Sequence, residues 1–107
     1  MNLAKIIYRE TSKFPPEEKF TLIQQMRRCS VSVLSNIAEG AARQGEKEAI
    51  QFFSIARGSI SELDAQLELS EELKFIDKSD FINISFALET VDSLLNGLIR
   101  YRKNNLR

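Results

Sequence analysis

Residues 24–40 read QQMRRCSVSVLSNIAEG, and their spacing predicts a long helix with two different faces. At 100° per residue, one side gathers a core stripe made of Leu22, Ile23, Met26, Ser30, Val33, Ile37 and Gly40. The other side carries a polar row made of Arg28, Ser32, Ser35, Asn36 and Glu39. Serine and asparagine are mediocre helix formers, because their side chains compete for backbone hydrogen bonds. Their presence in mid-helix indicates that something packs closely against this face.

Three further helices are predicted around this one. The four predicted ranges are residues 2–12, 16–42, 46–73 and 80–102. The first helix ends before Phe14, because a residue that precedes proline is pushed out of the α region. Pro16 suits the start of the second helix, and Ser79 is the predicted N-cap of the fourth. The scarcity of glycine and proline agrees with an all-helical chain.

The third and fourth helices each carry an apolar seam. In the third, the seam keeps a regular alternation of four-residue and three-residue steps, through Ala49, Phe53, Ala56, Ile60, Leu63, Leu67 and Ser70. In the fourth it runs through Phe81, Ile84, Leu88, Val91, Leu95 and Leu98. Amphipathic helices joined by short loops predict an all-α, up-down-up-down four-helix bundle with a shortened first helix. Residues 1–107 form a single domain in this interpretation.

A second apolar line on the third helix lies off the main seam. Its members are Ile55, Leu69 and Leu73. Apolar residues on this side have no function in a minimal helical hairpin, so they predict a second packing partner. We expect all three to lie at a subunit or second-helix interface.

Two further contacts are predicted between the second and third helices. If the hairpin turns near Gly45, facing positions have numbers that sum to about 89 or 90, as Arg27 and Glu62 do. An inter-helix ion pair between these two residues is favoured over a ligand site, because a semi-buried charge needs a partner. The same arithmetic places Gly58 opposite Val31 or Ser32, where small residues would permit close backbone approach.

The residue types present argue against an enzyme. The chain has no histidine and a single cysteine, Cys29, which is interpreted as a reduced, half-buried thiol. A zinc site is not expected from one cysteine and carboxylates, and no phosphate-binding loop or nucleophile elbow is present. No catalytic residue, metal or cofactor is predicted. Without a signal peptide or a long apolar run, the expected location is the cytoplasm, with no membrane contact.

Charge is balanced overall but unevenly distributed. Residues 1–45 carry a net charge of +3, residues 46–92 a net charge of −7, and residues 93–107 a net charge of +4. A strong nucleic-acid binder usually has a basic excess, which this chain lacks. Its basic C-terminus is nevertheless a possible nucleic-acid patch, formed by Arg100, Arg102, Lys103 and Arg107.

The polar row also carries a family resemblance. Residues 27–28, the run 32–40 and Arg43 resemble the signature of the bacterial four-helix bundle family, also called the 23S rRNA intervening sequence protein family. The second half of that pattern is similar to Phe53, Ala56, Gly58-Ser59, Glu62-Leu63 and Gln66-Leu67. The resemblance covers nearly the whole chain and implies a ring-like homo-oligomer with five subunits. It also implies a first helix that usually begins earlier than it does here.

Two functions remain open at this point. The first is a non-enzymatic oligomeric scaffold that binds another protein, which the neutral net charge favours. The alternative is an RNA- or DNA-binding accessory factor associated with 23S rRNA intervening sequences or reverse-transcriptase systems. The resemblance favours the alternative, because the accessory protein of diversity-generating retroelements is similar in fold and binds reverse transcriptase and nucleic acid.

Overall fold

Four α-helices form the fold in the computed structural model, which describes residues 3–18 and 20–106. They are α1 (Leu3–Thr11), α2 (Leu22–Ala42), α3 (Glu46–Glu72) and α4 (Lys78–Asn104), and a 3-10 turn at Pro16–Glu18 precedes α2. The predicted all-α bundle with a short first helix is confirmed. The second element differs from its prediction, because the chain turns at residues 16–18 before α2 begins at Leu22.

The helices are arranged around a square in chain order. The helix α2 packs chiefly on α3, α3 packs on α4, and α1 lies against α2 and also touches α4. The molecule measures 50 × 24 × 19 Å across its Cα atoms. Because α1 has nine residues and α3 and α4 have 27 each, α1 covers only one end of the bundle.

The core follows the predicted seams closely. Every member of the predicted α3 seam is buried. On α2 the stripe is buried apart from a half-buried Ile37, and Cys29 is buried as well. On α4 the middle of the seam is buried, Phe81 and Leu98 are half-buried, and Ile99 joins the core. Helical periodicity therefore identified the inward faces of all three long helices.

The N-terminus of α4 is capped differently from the prediction. The helix begins at Lys78, and the carboxylate of Asp77 accepts a hydrogen bond from the backbone N–H of Asp80 at 2.8 Å. Aspartate at the N-cap position satisfies a backbone donor that has no partner inside the helix. The predicted cap, Ser79, lies inside the first turn instead.

A left-handed residue terminates α3 at the start of its connection to α4. Lys74 has φ of 63°, and the backbone N–H groups of Phe75 and Lys74 donate to the carbonyls of Ser70 and Glu71, both at 2.9 Å. This is the Schellman arrangement, in which glycine is the usual left-handed residue. It directs Phe75 against Phe14, with ring centroids 5.3 Å apart. The loop that precedes α4 is thereby packed against the loop that follows α1.

Two glycines have opposite roles in the hairpin of α2 and α3. A Cβ built on Gly40 would lie 2.6 Å from the Phe53 ring and 3.1 Å from the carbonyl oxygen of Ala49, so this position has room only for glycine. The predicted close contact at Gly58 is wrong. No described atom of another element lies within 4 Å of a Cβ built there, because α3 turns Gly58 to solvent and Ser59 toward α2.

Candidate functional site

The polar row of α2 divides into an inner and an outer set. Ser32 and Ser59 share a hydrogen bond of 2.8 Å between α2 and α3. The amide of Asn36 donates to the Ser32 carbonyl at 2.9 Å and to its hydroxyl at 3.2 Å. Arg28 and Ser35 are exposed. The inner residues thus hold two helices together, and the outer ones remain available for contact with other molecules.

The C-terminal end of the row closes the turn between α2 and α3. Arg43 forms ion pairs with Glu39 at 2.7 Å and Glu48 at 2.9 Å, and its guanidinium lies over the Phe52 ring at 4.7 Å. Cations near the last turn of a helix also interact favourably with its dipole. Glu39 and Arg43 are therefore structural residues of the turn in this chain.

Arg102 fixes the end of α4 to the same turn. Its side chain is mostly buried and bonds to Glu46 at 2.6 Å and to the Arg43 carbonyl at 3.1 Å. The hydrogen bond from Arg102 is the main cause of the lowered pKa of Glu46, and a hydrogen bond from Asn105 lowers that pKa further. Arg102 thus has a structural role, which removes the central member of the predicted nucleic-acid patch.

The other members of that patch are not held in this way. Arg100 and Lys103 are exposed on α4. The remaining member, Arg107, lies outside the described residues. Of the three members that the structure describes, two are thus exposed cations and one is bonded within the fold, and phosphate affinity scales with the number of contacts.

The predicted ion pair between Arg27 and Glu62 is wrong. Both residues lie in the described part of the chain, and no ion pair joins them there. Arg27 bonds to α1 instead, through Thr11 Oγ1 at 2.9 Å and the Tyr8 carbonyl at 3.2 Å, and stacks over the Tyr8 ring at 4.6 Å. Because Ser32 pairs with Ser59, Glu62 lies beside α2 at the level of Arg28. Arg27 precedes Arg28 by one residue, and the helical rotation over that single step points Arg27 toward α1.

An open groove lies between α1 and α2. Its volume is about 630 Å³, which is within the usual range for binding sites. The charged residues that line it are Arg27 and Arg28, and its walls include Tyr8 and Val31, each 45% exposed. Arg27 is held in place by its bonds to α1, so its guanidinium is pre-positioned at this groove. The sequence indicated nothing here, because the walls come from two helices that packing brings together.

A second groove runs along the other side of α2, against α3. Its polar part, about 200 Å³, is lined by Gln25, Arg28, Cys29, Ser32, Ser59 and Glu62. Its apolar part, about 400 Å³, is lined by Glu18, Phe20, Thr21, Leu22, Gln25, Gln66, Leu69 and Leu73. Two of the three interface candidates thus lie in this α2–α3 groove. The third, Ile55, lies along the same edge of α3.

The thiol of Cys29 has low chemical reactivity. Burial, followed by the negative charge of Glu62, raises its pKa from 9.0 to about 11. The thiolate is the reactive form of cysteine, so at neutral pH this side chain acts as a small apolar core residue. The predicted half-buried thiol is more deeply buried than expected, with 6% of its surface exposed.

At pH 8 we expect iodoacetamide to modify Cys29 of the native protein at least about a hundred-fold more slowly than Cys29 of the denatured chain. A pKa that is higher by two units lowers the fraction of thiolate by about that factor. The native rate should rise with pH up to about 11. Mass spectrometry of timed samples measures both rates. Native and denatured rates within a factor of three would show that the thiol is accessible and ordinary.

The structure shows neither a metal-binding cluster nor a membrane span in its described portion. Within residues 3–18 and 20–106, histidine, cysteine and carboxylate side chains nowhere gather in threes in a way that could hold a metal ion. None of the helices described there has the length and apolar character to cross a bilayer.

The arrangement of helices matches a solved protein. A crystal structure from the S23 ribosomal protein family of Bacteroides thetaiotaomicron VPI-5482 superimposes with a TM-score of 0.79. The two sequences are 22% identical, and the match covers 91% of this chain and 90% of the other. At this identity the likeness shows the fold alone, and that protein's function is unknown. Comparison with curated protein sequences finds no match.

The sequence profile of the 23S rRNA-intervening sequence proteins matches residues 1–97. The chain belongs to this family. The matched range contains the polar row, both grooves beside α2 and the first part of α4. The resemblance inferred from the polar row is therefore confirmed for most of the chain, and the four-helix fold agrees with it.

Proposed function

We propose that this member of the 23S rRNA-intervening sequence protein family is a non-enzymatic binding module of the cytoplasm. It assembles with copies of itself into a closed oligomer and presents a scaffold to another protein. The observation that carries the proposal is the apolar edge of α3, where Ile55, Leu69 and Leu73 are 47%, 45% and 48% exposed.

The position of these residues distinguishes them from scattered surface apolar groups. Single exposed apolar side chains are normal, but apolar patches that line a groove and are rimmed by polar groups mark interaction sites. Leu69 and Leu73 share a groove with the N-terminal end of α2, and Glu18 lies at its rim. Covering this groove with a second copy would remove apolar area from water, worth about 25 cal/mol per Å².

The side-chain chemistry supports a binding role without catalysis. The chain has no histidine, and the Cys29 thiol is buried with a raised pKa. The half-buried polar residues Ser32 and Asn36 on α2 bond to each other, and Ser32 also bonds to Ser59 on α3. These groups build the hairpin and leave no activated nucleophile among them.

Replacing Leu69 with aspartate should dissociate the oligomer into monomers, because the new carboxylate would be buried against the next copy without a partner. We expect sedimentation velocity to shift from one closed species to the monomer at micromolar concentration. Ile82→Asp is the matched control, since Ile82 is 55% exposed on α4, away from the α2–α3 groove. Equal behaviour of the two variants would contradict the role given to the α3 edge.

Nucleic-acid binding is the alternative, and the family description is what favours it. Arg100 and Lys103 remain exposed, and a ring would repeat them around its rim. We expect weak binding of mixed-sequence RNA at low salt that falls steeply as salt rises. Arg100→Gln with Lys103→Gln should flatten that salt dependence while the helical content stays unchanged. Tight, sequence-selective binding near physiological salt would instead make RNA the main ligand.

A further inference from the structure

The outward face of α4 carries a pair of exposed apolar side chains. Ile82 is 55% exposed and Phe86 is 70% exposed, and side chains four residues apart on a helix lie on the same face. Glu89, three residues after Phe86, continues this face. Single exposed apolar groups are normal, but adjoining ones beside a polar rim mark an interaction surface.

A groove between α3 and α4 adjoins this face through Glu89. Its volume is about 230 Å³, and it shares no lining residue with the two grooves beside α2. Two buried core residues, Ile60 and Leu88, form its floor. The polar residues of its rim are Ser61, Asp64, Glu89 and Asp92. All the charged residues that line this α3–α4 groove are therefore acidic.

The negative charge of the α3–α4 groove is largely uncompensated. Within residues 3–18 and 20–106, no ion pair joins Asp64 or Glu89 to a base. Asp92 has only a loose contact with Arg57, with 4.0 Å between Oδ1 and Nε. Both walls come from residues 46–92, the segment whose net charge is −7. The surface thus combines an apolar face with carboxylates that a cationic partner could pair with.

We propose that the α3–α4 groove and the adjoining face of α4 bind a basic amphipathic helix of another protein. The apolar side of that helix covers Ile82 and Phe86, and its lysine or arginine side chains pair with Asp64 and Glu89. This inference rests on the part of the proposed function in which the oligomer binds another protein. It names the surface that binds and the chemistry of the partner.

The size and charge of the surface select this occupant. A volume of about 230 Å³ is smaller than the roughly 300–1,000 Å³ of a site for a drug-sized molecule. The carboxylates do not gather in a way that could hold a metal ion in the described part of the chain. A negatively charged surface also repels the phosphates of nucleic acid. Cationic side chains of a protein have the size and the charge that fit.

The shape of the surface favours a helix over an extended peptide. The walls are two packed helices of 27 residues each, so the groove between them is bordered by side chains that recur at helical spacing. A helix that lies along such a groove places its anchors at i, i+3, i+4 and i+7. An extended peptide would instead need an exposed strand edge, and the described part of the chain is helical.

Self-assembly leaves this surface free. The oligomer contact proposed above uses Ile55, Leu69 and Leu73, and the last two line the α2–α3 groove. Because α3 packs between α2 and α4, the α3–α4 groove lies on the other side of α3. Each copy in an oligomer would therefore present one such surface to the partner.

A pair of synthetic peptides tests the inference. The probe is an acetylated and amidated alanine-rich helix with leucines spaced i, i+4 and i+7, and with lysines beside them. The matched peptide has glutamate at every lysine position. Fluorescence anisotropy with the full chain at low salt should show saturable binding of the lysine peptide. Its affinity should exceed that of the glutamate peptide by at least about tenfold, because like charges across an interface suppress binding.

Matched variants locate the binding surface. Phe86→Ala should weaken binding of the lysine peptide by about tenfold, since buried aromatic anchors dominate interfaces, and Glu89→Gln should weaken it by about three- to tenfold. Tyr101→Ala and Glu17→Gln are the controls, because both residues are exposed and lie outside the groove. They should leave the affinity within about twofold. Circular dichroism and light scattering check the fold and the oligomer of each variant.

The outcomes that refute the inference are distinct from those that refute self-assembly. Equal binding of the two peptides, or equal weakening by Glu89→Gln and Glu17→Gln, would mean general attraction without this site. A change of oligomer mass in Phe86→Ala would mean that a second copy covers this face instead. An intact oligomer that does not bind the lysine peptide refutes the inference and leaves self-assembly standing. A monomeric protein that binds it as described refutes self-assembly alone.

Discussion

Gly40→Val is expected to lower the free energy of unfolding by about 3 kcal/mol, because it forces new atoms into a filled core. The added Cβ alone would lie 2.6 Å from Cε1 of Phe53, whose ring is 1% exposed. The carbonyl oxygen of Ala49, 3.1 Å away, blocks the other side. Chemical denaturation monitored by circular dichroism measures the loss.

A double-mutant cycle that combines Gly40→Val with Phe53→Ala is the control for this prediction. Phe53→Ala alone should cost about 3–5 kcal/mol by opening a cavity, and the double variant should lose less than the sum of the two single losses. Gly97→Ala is the matched glycine control. A Cβ at Gly97 has no described neighbour within 4 Å, so alanine should raise stability by up to about 1 kcal/mol. Additive losses in the cycle would contradict the contact.

Arg27→Ala should detach α1 from the bundle and cost about 1–3 kcal/mol. The substitution removes the bonds to Thr11 Oγ1 and to the Tyr8 carbonyl, together with the stacking on the Tyr8 ring. Since α1 touches the rest of the molecule mainly through α2, loss of this anchor should act locally. Hydrogen exchange should show faster exchange of the α1 amides, while the α3 seam stays protected.

The neighbouring residue, Arg28, provides the matched control for Arg27→Ala. Arg28 is exposed, and its replacement by alanine should change stability by less than about 0.5 kcal/mol at a concentration where the protein is monomeric. A cycle with Thr11→Val should show coupling to Arg27, and a cycle with Glu62→Ala should not. Coupling between Arg27 and Glu62 would mean that the predicted ion pair forms after all.

The sequence predicts the structural features that follow from the periodicity of apolar side chains. All members of the α3 seam from Ala49 to Ser70 are buried, because an unbroken seven-residue repeat has a single inward face. The exposed line of Ile55, Leu69 and Leu73 was found by the same reasoning, because it falls off that face. Helix existence and burial are thus determined by side-chain spacing within one element.

The sequence alone does not predict which side chain on one helix bonds to which side chain on another. Arg27 bonds to α1 rather than to Glu62, and the difference is one residue of rotation about α2, about 100°. Arg102 was predicted as a phosphate ligand and instead bonds to Glu46, 56 positions earlier in the chain. Long, flexible charged side chains reach several neighbours, so their partners depend on the packed structure. Gly40 was placed on the core side, but its contact with Phe53 required the register of the hairpin.

The mass of the wild-type protein in solution tests the central claim most directly. Light scattering coupled to size exclusion, over a hundred-fold range of concentration, should give one species whose mass is a fixed multiple of 12.2 kDa. The family resemblance makes five copies the expected number. A constant mass of 12.2 kDa throughout would contradict the account, and a mass that grows without limit would indicate a filament instead of a ring.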